Sequence, residues 1–239
     1  MHACLIFRRA AFTLIELLVV IAIISLLAAL FAAANAEPLP PDGQSVPEAT
    51  RLLDSSGKRE GYALWFGVDD EELLAAVTAS SQLHIVGVDP DADKIDRLRR
   101  RLDQTGWYGR RIALQVGSPD TYRPPPYCAD LIVVARSLAP ALRDPQRLVR
   151  VYESLRPYDG KLWIQTDGTA AGLQAGDLSI GELAQAKLTA AEGALILSRE
   201  GPLPGAGQWT HAYGDVANTV KSNDRRVKLP LGLQWFGGS

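Results

Sequence analysis

The residues of this chain best placed to do chemistry are acids and a hydroxyl at the ends of short apolar runs. His84-Ile85-Val86-Gly87-Val88 ends in Asp89, and a strongly helical segment follows. A carboxylate at the carboxyl end of a parallel strand can accept hydrogen bonds from the ribose hydroxyls of a nucleotide-like ligand, S-adenosylmethionine included. Gly67 lies 22 positions before Asp89 and follows the apolar run 62–66. A glycine turn there would bring backbone close to such a ligand. Ser118 and Asp120, in Gly117-Ser118-Pro119-Asp120, follow a third run, 112–116, and join Asp89 as candidate ligand contacts. Gly, Ser, Pro and Asp also make an ordinary turn, and both readings stand at this point. The histidines, His2, His84 and His211, show no metal-ligand spacing with Cys4 and Cys128, so no metal site is expected. No catalytic group stands out, and group transfer that works by positioning donor and acceptor does not require one.

The elements that must hold these residues alternate regularly. Strands are expected at 62–66, 84–89, 112–116, 130–134 and 161–165, with helical segments at 47–56, near 69–77, at 91–104 and at 144–155. Asp69 with Glu72 reads as a capping box for the second helix, and Asp144-Pro145 as N-cap and first-turn proline for the fourth. Arg97, Arg99, Arg100 and Arg101 fall mostly on an outer helix face beside Asp93, Asp96 and Asp103, which reads as a salt-bridged surface rather than a phosphate patch. This alternation predicts an α/β fold: a doubly wound, mostly parallel sheet covered on both sides. Further on, Ser179 with Glu182 predicts a helix reaching about Ala191 and stopped by Gly193. A sixth strand at 194–199 and a returning strand at 208–213 would close the sheet as an antiparallel pair.

The Gly67 turn, Ile85 to Asp89, Gly117 to Asp120, Ala129-Asp130-Leu131-Ile132-Val133 and Leu155-Arg156-Pro157-Tyr158-Asp159-Gly160 occur in an order that resembles class I S-adenosylmethionine-dependent methyltransferases. The resemblance implies a Rossmann-like methyltransferase fold and S-adenosylmethionine as cofactor. It implies Gly67 and Asp69 at the cofactor turn, Asp89 on the ribose, and Ser118 and Asp120 near the adenine. The family's turn is G-x-G-x-G, whereas here Asp69 and Glu71 stand at the second and third glycines. Side chains at those places oppose close backbone approach, and two carboxylates there would face the carboxylate of the methionine.

The amino terminus sets the compartment. Arg8-Arg9 precede an apolar run, of which residues 17–34 carry no charge. As a helix that stretch spans roughly 27 Å, close to the hydrocarbon thickness of a membrane. The segment from Arg8-Arg9-Ala10-Ala11-Phe12-Thr13-Leu14-Ile15-Glu16 through Ile24 resembles the type IV prepilin and pseudopilin leader. The resemblance implies cleavage between Ala11 and Phe12, with Glu16 in the family's glutamate position; Ala11 replaces the usual glycine. Ala34-Asn35-Ala36 before Glu37 offers a rival site for ordinary signal peptidase. Either route leads to the cell envelope, inner-membrane-anchored or periplasmic. A net charge of −2 gives no reason to propose nucleic acid as a partner. With Cys4 in the leader, the processed chain keeps one thiol and no internal disulfide.

The 239 residues thus divide into a leader and membrane helix at 1–36, a proline-rich linker at 37–47, an α/β domain at 48–213 and a tail at 214–239. The tail, from Gly207-Gln208-Trp209-Thr210-His211 to Leu233-Gln234-Trp235-Phe236-Gly237, is similar to the segment leading into a pyrroloquinoline-quinone-type β-propeller in bacterial proteins that join one to a methyltransferase-like domain. That similarity implies either the front part of a longer protein with a C-terminal β-propeller or a shortened relative without one. Three readings remain open: an exported methyltransferase-like module with a degenerate cofactor turn, an active methyltransferase, and a pseudopilin-like assembly subunit.

Overall fold

Five parallel strands set up the site. They are β1 (Glu60–Phe66), β2 (Gln82–Asp89), β3 (Ile112–Val116), β4 (Leu131–Val134) and β5 (Gly160–Gln165). The computed structural model describes residues 45–166 and 172–227, together with Ile23 and Ser25. The expected leader helix and the end of the tail therefore lie outside the described residues. Two further strands, β6 (Ala186–Ala191) and β7 (Ala194–Arg199), complete one sheet in the order β3-β2-β1-β4-β5-β7-β6. Pairing among β1 to β5 is parallel, and β7 runs antiparallel to both β5 and β6.

Four helices accompany the strands: α1 (Ser45–Ser56), α2 (Glu71–Ala79), α3 (Ala92–Gln104) and α4 (Pro145–Glu153). α1 begins early enough that Pro47 sits in its first turn, where the missing N–H costs nothing. The first three helices cover one face, burying Leu52, Leu53, Leu74 and Ile95 against Trp65, Ile85, Leu114 and Trp163. On the other face Leu148, Val151 and Tyr152 of α4 pack on Phe66, Ile132, Val134 and Ile164. Crossovers thus leave in opposite directions from β1 and its neighbour β4, so their carboxyl ends flank the crevice where doubly wound sheets receive ligands.

Two expectations need correction. The predicted helix from Ser179 to Ala191 is a short 3-10 turn, Ile180–Glu182, followed by strand β6. Alanine favours helix locally, but the pairing of Leu188 with Leu197 and the two-residue connection Glu192-Gly193, with Gly193 at φ +72°, make a hairpin. The antiparallel pair is therefore β6 with β7, and residues 208–213 form no strand, only an isolated bridge between His211 and Gly214. Nor is the sheet covered on both sides throughout. The connection from β3 to β4 contains no helix, and on that face Tyr62 is 61% exposed beside exposed His84 and Gln115 and half-buried Val86.

Candidate functional site

Gly67 leaves β1 at φ +81°, a conformation that suits glycine, and its amide donates to Val88 O at 2.8 Å. A side chain there would also meet Ala135 Cβ at 2.9 Å. The next residue, Val68, turns inward and is 1% exposed. α2 starts immediately afterwards with Asp70, not Asp69, as its N-cap: Asp70 Oδ1 accepts from Leu73 N at 2.9 Å. Asp69 and Glu71 therefore avoid the left-handed backbone that a glycine would adopt, since neither has positive φ. Asp69 Oδ2 instead accepts from Ser137 N at 3.1 Å, which ties the β1 turn to the loop after β4. Glu71 and Glu72 lie in the first turn of α2 and pair with Arg101 of α3 at 2.7 and 3.4 Å. Arg99 pairs with Asp96 at 3.0 Å, so two of the four arginines are in salt bridges, while Arg100 Nε donates to Asp96 O at 3.1 Å.

Asp89 stands at the carboxyl end of β2, 2% exposed. Its Oδ2 accepts from Val68 N at 2.8 Å and from Lys94 Nζ at 2.6 Å, and its Oδ1 accepts from Asp91 N at 3.0 Å. Burial alone would raise its pKa, but the Lys94 ammonium and the amides of Asp91 and Val68 together hold it below the usual carboxylate value. Lys94 also donates to Val68 O at 3.2 Å and lies 3.8 Å from Asp69 Oδ1. One ammonium thus bridges the end of β1, the end of β2 and the α2 turn. Lys94 is the residue that the sequence pattern left unmarked. Its signal was its place in the first turn of α3, three residues after the N-cap Asp91, from which a long side chain reaches back to the strand end.

Ser118 and Asp120 reach the same edge because Gly117 N donates to Asp89 O at 2.9 Å. Their side chains serve other partners. Ser118 Oγ accepts from Asp120 N at 3.2 Å and meets Thr121 Oγ1 at 3.3 Å. Asp120 Oδ1 accepts from Arg147 Nε and Arg150 of α4, both at 2.8 Å. Among the described residues no hydrogen bond joins either side chain to Asp89 or Gly67.

A polar cleft of about 460 Å³ opens over the ends of β1, β4 and β5, lined by Glu48, Asp69, Asp70, Arg136, Ser137 and Gln165. Three carboxylates face one guanidinium there, a balance that favours cationic or polar groups and disfavours a ligand carboxylate. Glu48 is engaged by Gln165 Nε2 at 2.7 Å, and Gln165 Oε1 by Arg136 N at 3.2 Å. The residues present do not fit S-adenosylmethionine well: the expected ribose acceptor is 2% exposed and already holds three hydrogen bonds within the chain, and the cleft at the strand ends is acidic. Among the described residues no cluster of His, Cys, Asp and Glu could hold a metal ion.

Comparison with known proteins agrees with this architecture. The prokaryotic N-terminal methylation motif matches residues 6–32, which suggests export to the envelope. No curated protein matches in sequence. An S-adenosyl-L-methionine-dependent methyltransferase from Methanococcus maripaludis is 13% identical, with TM-score 0.55, over 66% of this chain and 84% of its own. A SAM-dependent methyltransferase from Aquifex aeolicus is 12% identical, TM-score 0.49, over 66% of this chain and 92% of its own. An RNA methyltransferase from Salinibacter ruber, solved with S-adenosyl-L-homocysteine, is 15% identical, TM-score 0.47, over 70% and 97%. The fold argument rests on the first of these, and the seven-stranded mixed sheet is the Rossmann-like methyltransferase fold.

Proposed function

We propose that this chain is an exported, envelope-anchored protein whose methyltransferase-like domain has lost its S-adenosylmethionine site and serves as a ligand-binding or structural module. The observation that carries the reading is that Asp89 is buried and already held by Lys94 and two backbone amides. A ribose hydroxyl that took the place of Lys94 on Oδ2 would cost that ammonium its contact with Asp89. The ends of β1, β2 and α2 are locked to one another through this ion pair and through Asp69 with Ser137. An active methyltransferase is the second reading, favoured by the polar cleft at the ligand edge of the sheet. A pseudopilin-like assembly role is favoured by the leader alone; a domain of parallel strands after a proline-rich connection is unlike a long helix running into an antiparallel sheet.

Calorimetry on the full chain in detergent, titrated with S-adenosylmethionine and with S-adenosylhomocysteine, tests the proposal. No binding is expected from the native sequence. Micromolar affinity, about −8 kcal/mol, would overturn the lost-site reading and promote the enzyme. Restoring glycine at position 71 is not expected to help, because Glu71 belongs to the α2 first turn. Asp69→Gly with Lys94→Ala is the pair that frees Asp89, and any binding gained should come from that pair.

A further inference from the structure

Arg199 is a charge that the fold buries and leaves partly unpartnered. It ends β7 opposite Gly160, at the amino end of β5, so it lies on the edge of the sheet remote from Asp89. The residue is 5% exposed, and its Cζ stands 4.2 Å from the centre of the Tyr152 ring and 5.2 Å from that of Tyr127. Nη2 donates to Tyr152 O, in the last turn of α4, at 2.9 Å, which accounts for a cation at a helix carboxyl end. Among the described residues Nε and Nη1 are buried without a hydrogen-bond partner. Burial raises the Tyr152 pKa against the opposing pull of Arg199, so that hydroxyl stays neutral and supplies no counter-charge. Ring faces and one carbonyl offset part of the charge, but buried donors left open are costly, and a buried charge is ordinarily paired.

Arg199 lines a cavity of about 210 Å³. Val149, Leu183 and Leu203 give this cavity an apolar side. Arg226 supplies a second guanidinium, whose hydrogen bonds go to neutral oxygens, Tyr127 Oη at 2.7 Å and Pro204 O at 3.4 Å. Glu153 and Glu182, both exposed, line the cavity as well. Two guanidiniums thus share the wall with two carboxylates, which leaves no surplus of positive charge for a multiply charged anion such as phosphate. A single carboxylate on a short apolar body suits both the open donors and the apolar side, and Arg is the side chain whose planar fork matches that group.

We propose that this cavity binds a small organic monocarboxylate, with its carboxylate on the open donors of Arg199 and its apolar body against Val149, Leu183 and Leu203. Tyr127 covers the guanidinium, and the exposed Arg226 holds Tyr127 by its hydroxyl, so the acid reaches the donors as Arg226 lets go and the ring tilts. The site is separate from the Asp89 edge and stands whether or not S-adenosylmethionine binds there.

Benzoate is the probe, titrated by calorimetry into the full chain in detergent at neutral pH against a blank of micelles alone, with benzamide and inorganic phosphate compared at the same ionic strength. Saturable binding of benzoate is expected, about tenfold or more tighter than that of benzamide or phosphate, as a charged hydrogen bond to buried donors implies. Arg199→Lys keeps the charge but not the fork and should weaken benzoate by about tenfold. Leu203→Trp, which fills the apolar side and leaves every charge in place, should abolish the binding and serves as the test if Arg199→Lys does not fold. Equal affinity for benzamide would mean an apolar hole that makes no use of the charge, and tighter phosphate would mean a phosphate site. Benzoate binding unchanged in a folded Arg199→Lys or in Leu203→Trp would place the ligand elsewhere; each of these results, like the absence of saturable binding, overturns the proposal.

Discussion

At the scale of single residues, the ion pair between Asp89 and Lys94 decides most of what the sheet edge can do. Asp89 is buried, whereas the Lys94 side chain keeps 24% of its surface in water, so the two partners are not equivalent. Removing Lys94 leaves a buried carboxylate with only two amide donors, and Lys94→Ala is expected to cost about 1–3 kcal/mol. Urea unfolding at neutral pH measures it, and Asp89→Asn combined with Lys94→Ala should cost less than the two changes summed. The pH dependence follows from the lowered pKa of Asp89, in which its hydrogen bonds outweigh a burial effect of opposite sign. Because the folded value lies below the unfolded one, near 3.8, this group's contribution is present above that value and is lost as pH falls through the folded pKa. Lys94→Ala should move that acid limb to higher pH. Gly67 and Asp89 were legible in the sequence because their chemistry is tied to strand ends. Lys94 was not, since only the helix start shows that its side chain returns to the strand. Asp69 and Asp70 are adjacent acids, and backbone geometry, which composition does not reveal, made the second one the cap.

At the scale of elements, the central strands were readable because parallel strands buried on both faces are continuous apolar runs; β4 is buried at every position. The alanine-rich β6 was not, because its state is fixed by a partner on the other side of a two-residue turn, where pairing overrides local propensity. The loop into β5 shows the same dominance of context. Tyr158 and Asp159 adopt φ +59° and +87°, with Asp159 held by Lys161 and, at 3.3 Å, by Lys58. Burial would raise the Asp159 pKa, but the hydrogen bonds from Lys161 and Lys58 outweigh it and lower the value. At Gly160 a Cβ would stand 2.5 Å from Arg156 O, a backbone atom that cannot swing away. Gly160→Ala should therefore destabilise the domain by about 1–3 kcal/mol, as forced overpacking does, through a shift of β5 against β4. Gly87→Ala is the comparison: its Cβ would meet the Leu114 Cδ2 methyl at 2.7 Å, the movable end of a side chain, and should cost less. Thermal unfolding of the two variants side by side checks the order, and a Gly87→Ala protein less stable than Gly160→Ala would refute the backbone-clash argument.

At the scale of the whole molecule, the leader is the segment that would anchor the exported protein proposed above. Among the described residues no helix is long and apolar enough to cross a membrane. The matched motif at residues 6–32 contains Arg8-Arg9, Ala11, Phe12 and Glu16, whereas Ala36 lies beyond it. The two cleavage routes have different physical consequences. A cut between Ala11 and Phe12 leaves an apolar stretch at 12–34 in which Glu16 is the lone charged side chain, roughly 35 Å as a helix, enough to hold the domain at a membrane. A cut after Ala36 leaves only a short polar lead into α1 and frees the domain from that anchor. Expression in a bacterial host that has a prepilin peptidase, followed by fractionation and amino-terminal sequencing, separates them. The expected product is membrane-bound and begins at Phe12. A soluble periplasmic product beginning at Glu37 would assign the chain to ordinary signal peptidase, and would remove the one feature that favours the assembly role. Intact Met1 in the soluble cytosol would defeat export altogether. It would also place the domain beside a cytosolic cofactor supply, and the Asp89–Lys94 pair and the acidic cleft would then be the arguments left against S-adenosylmethionine binding.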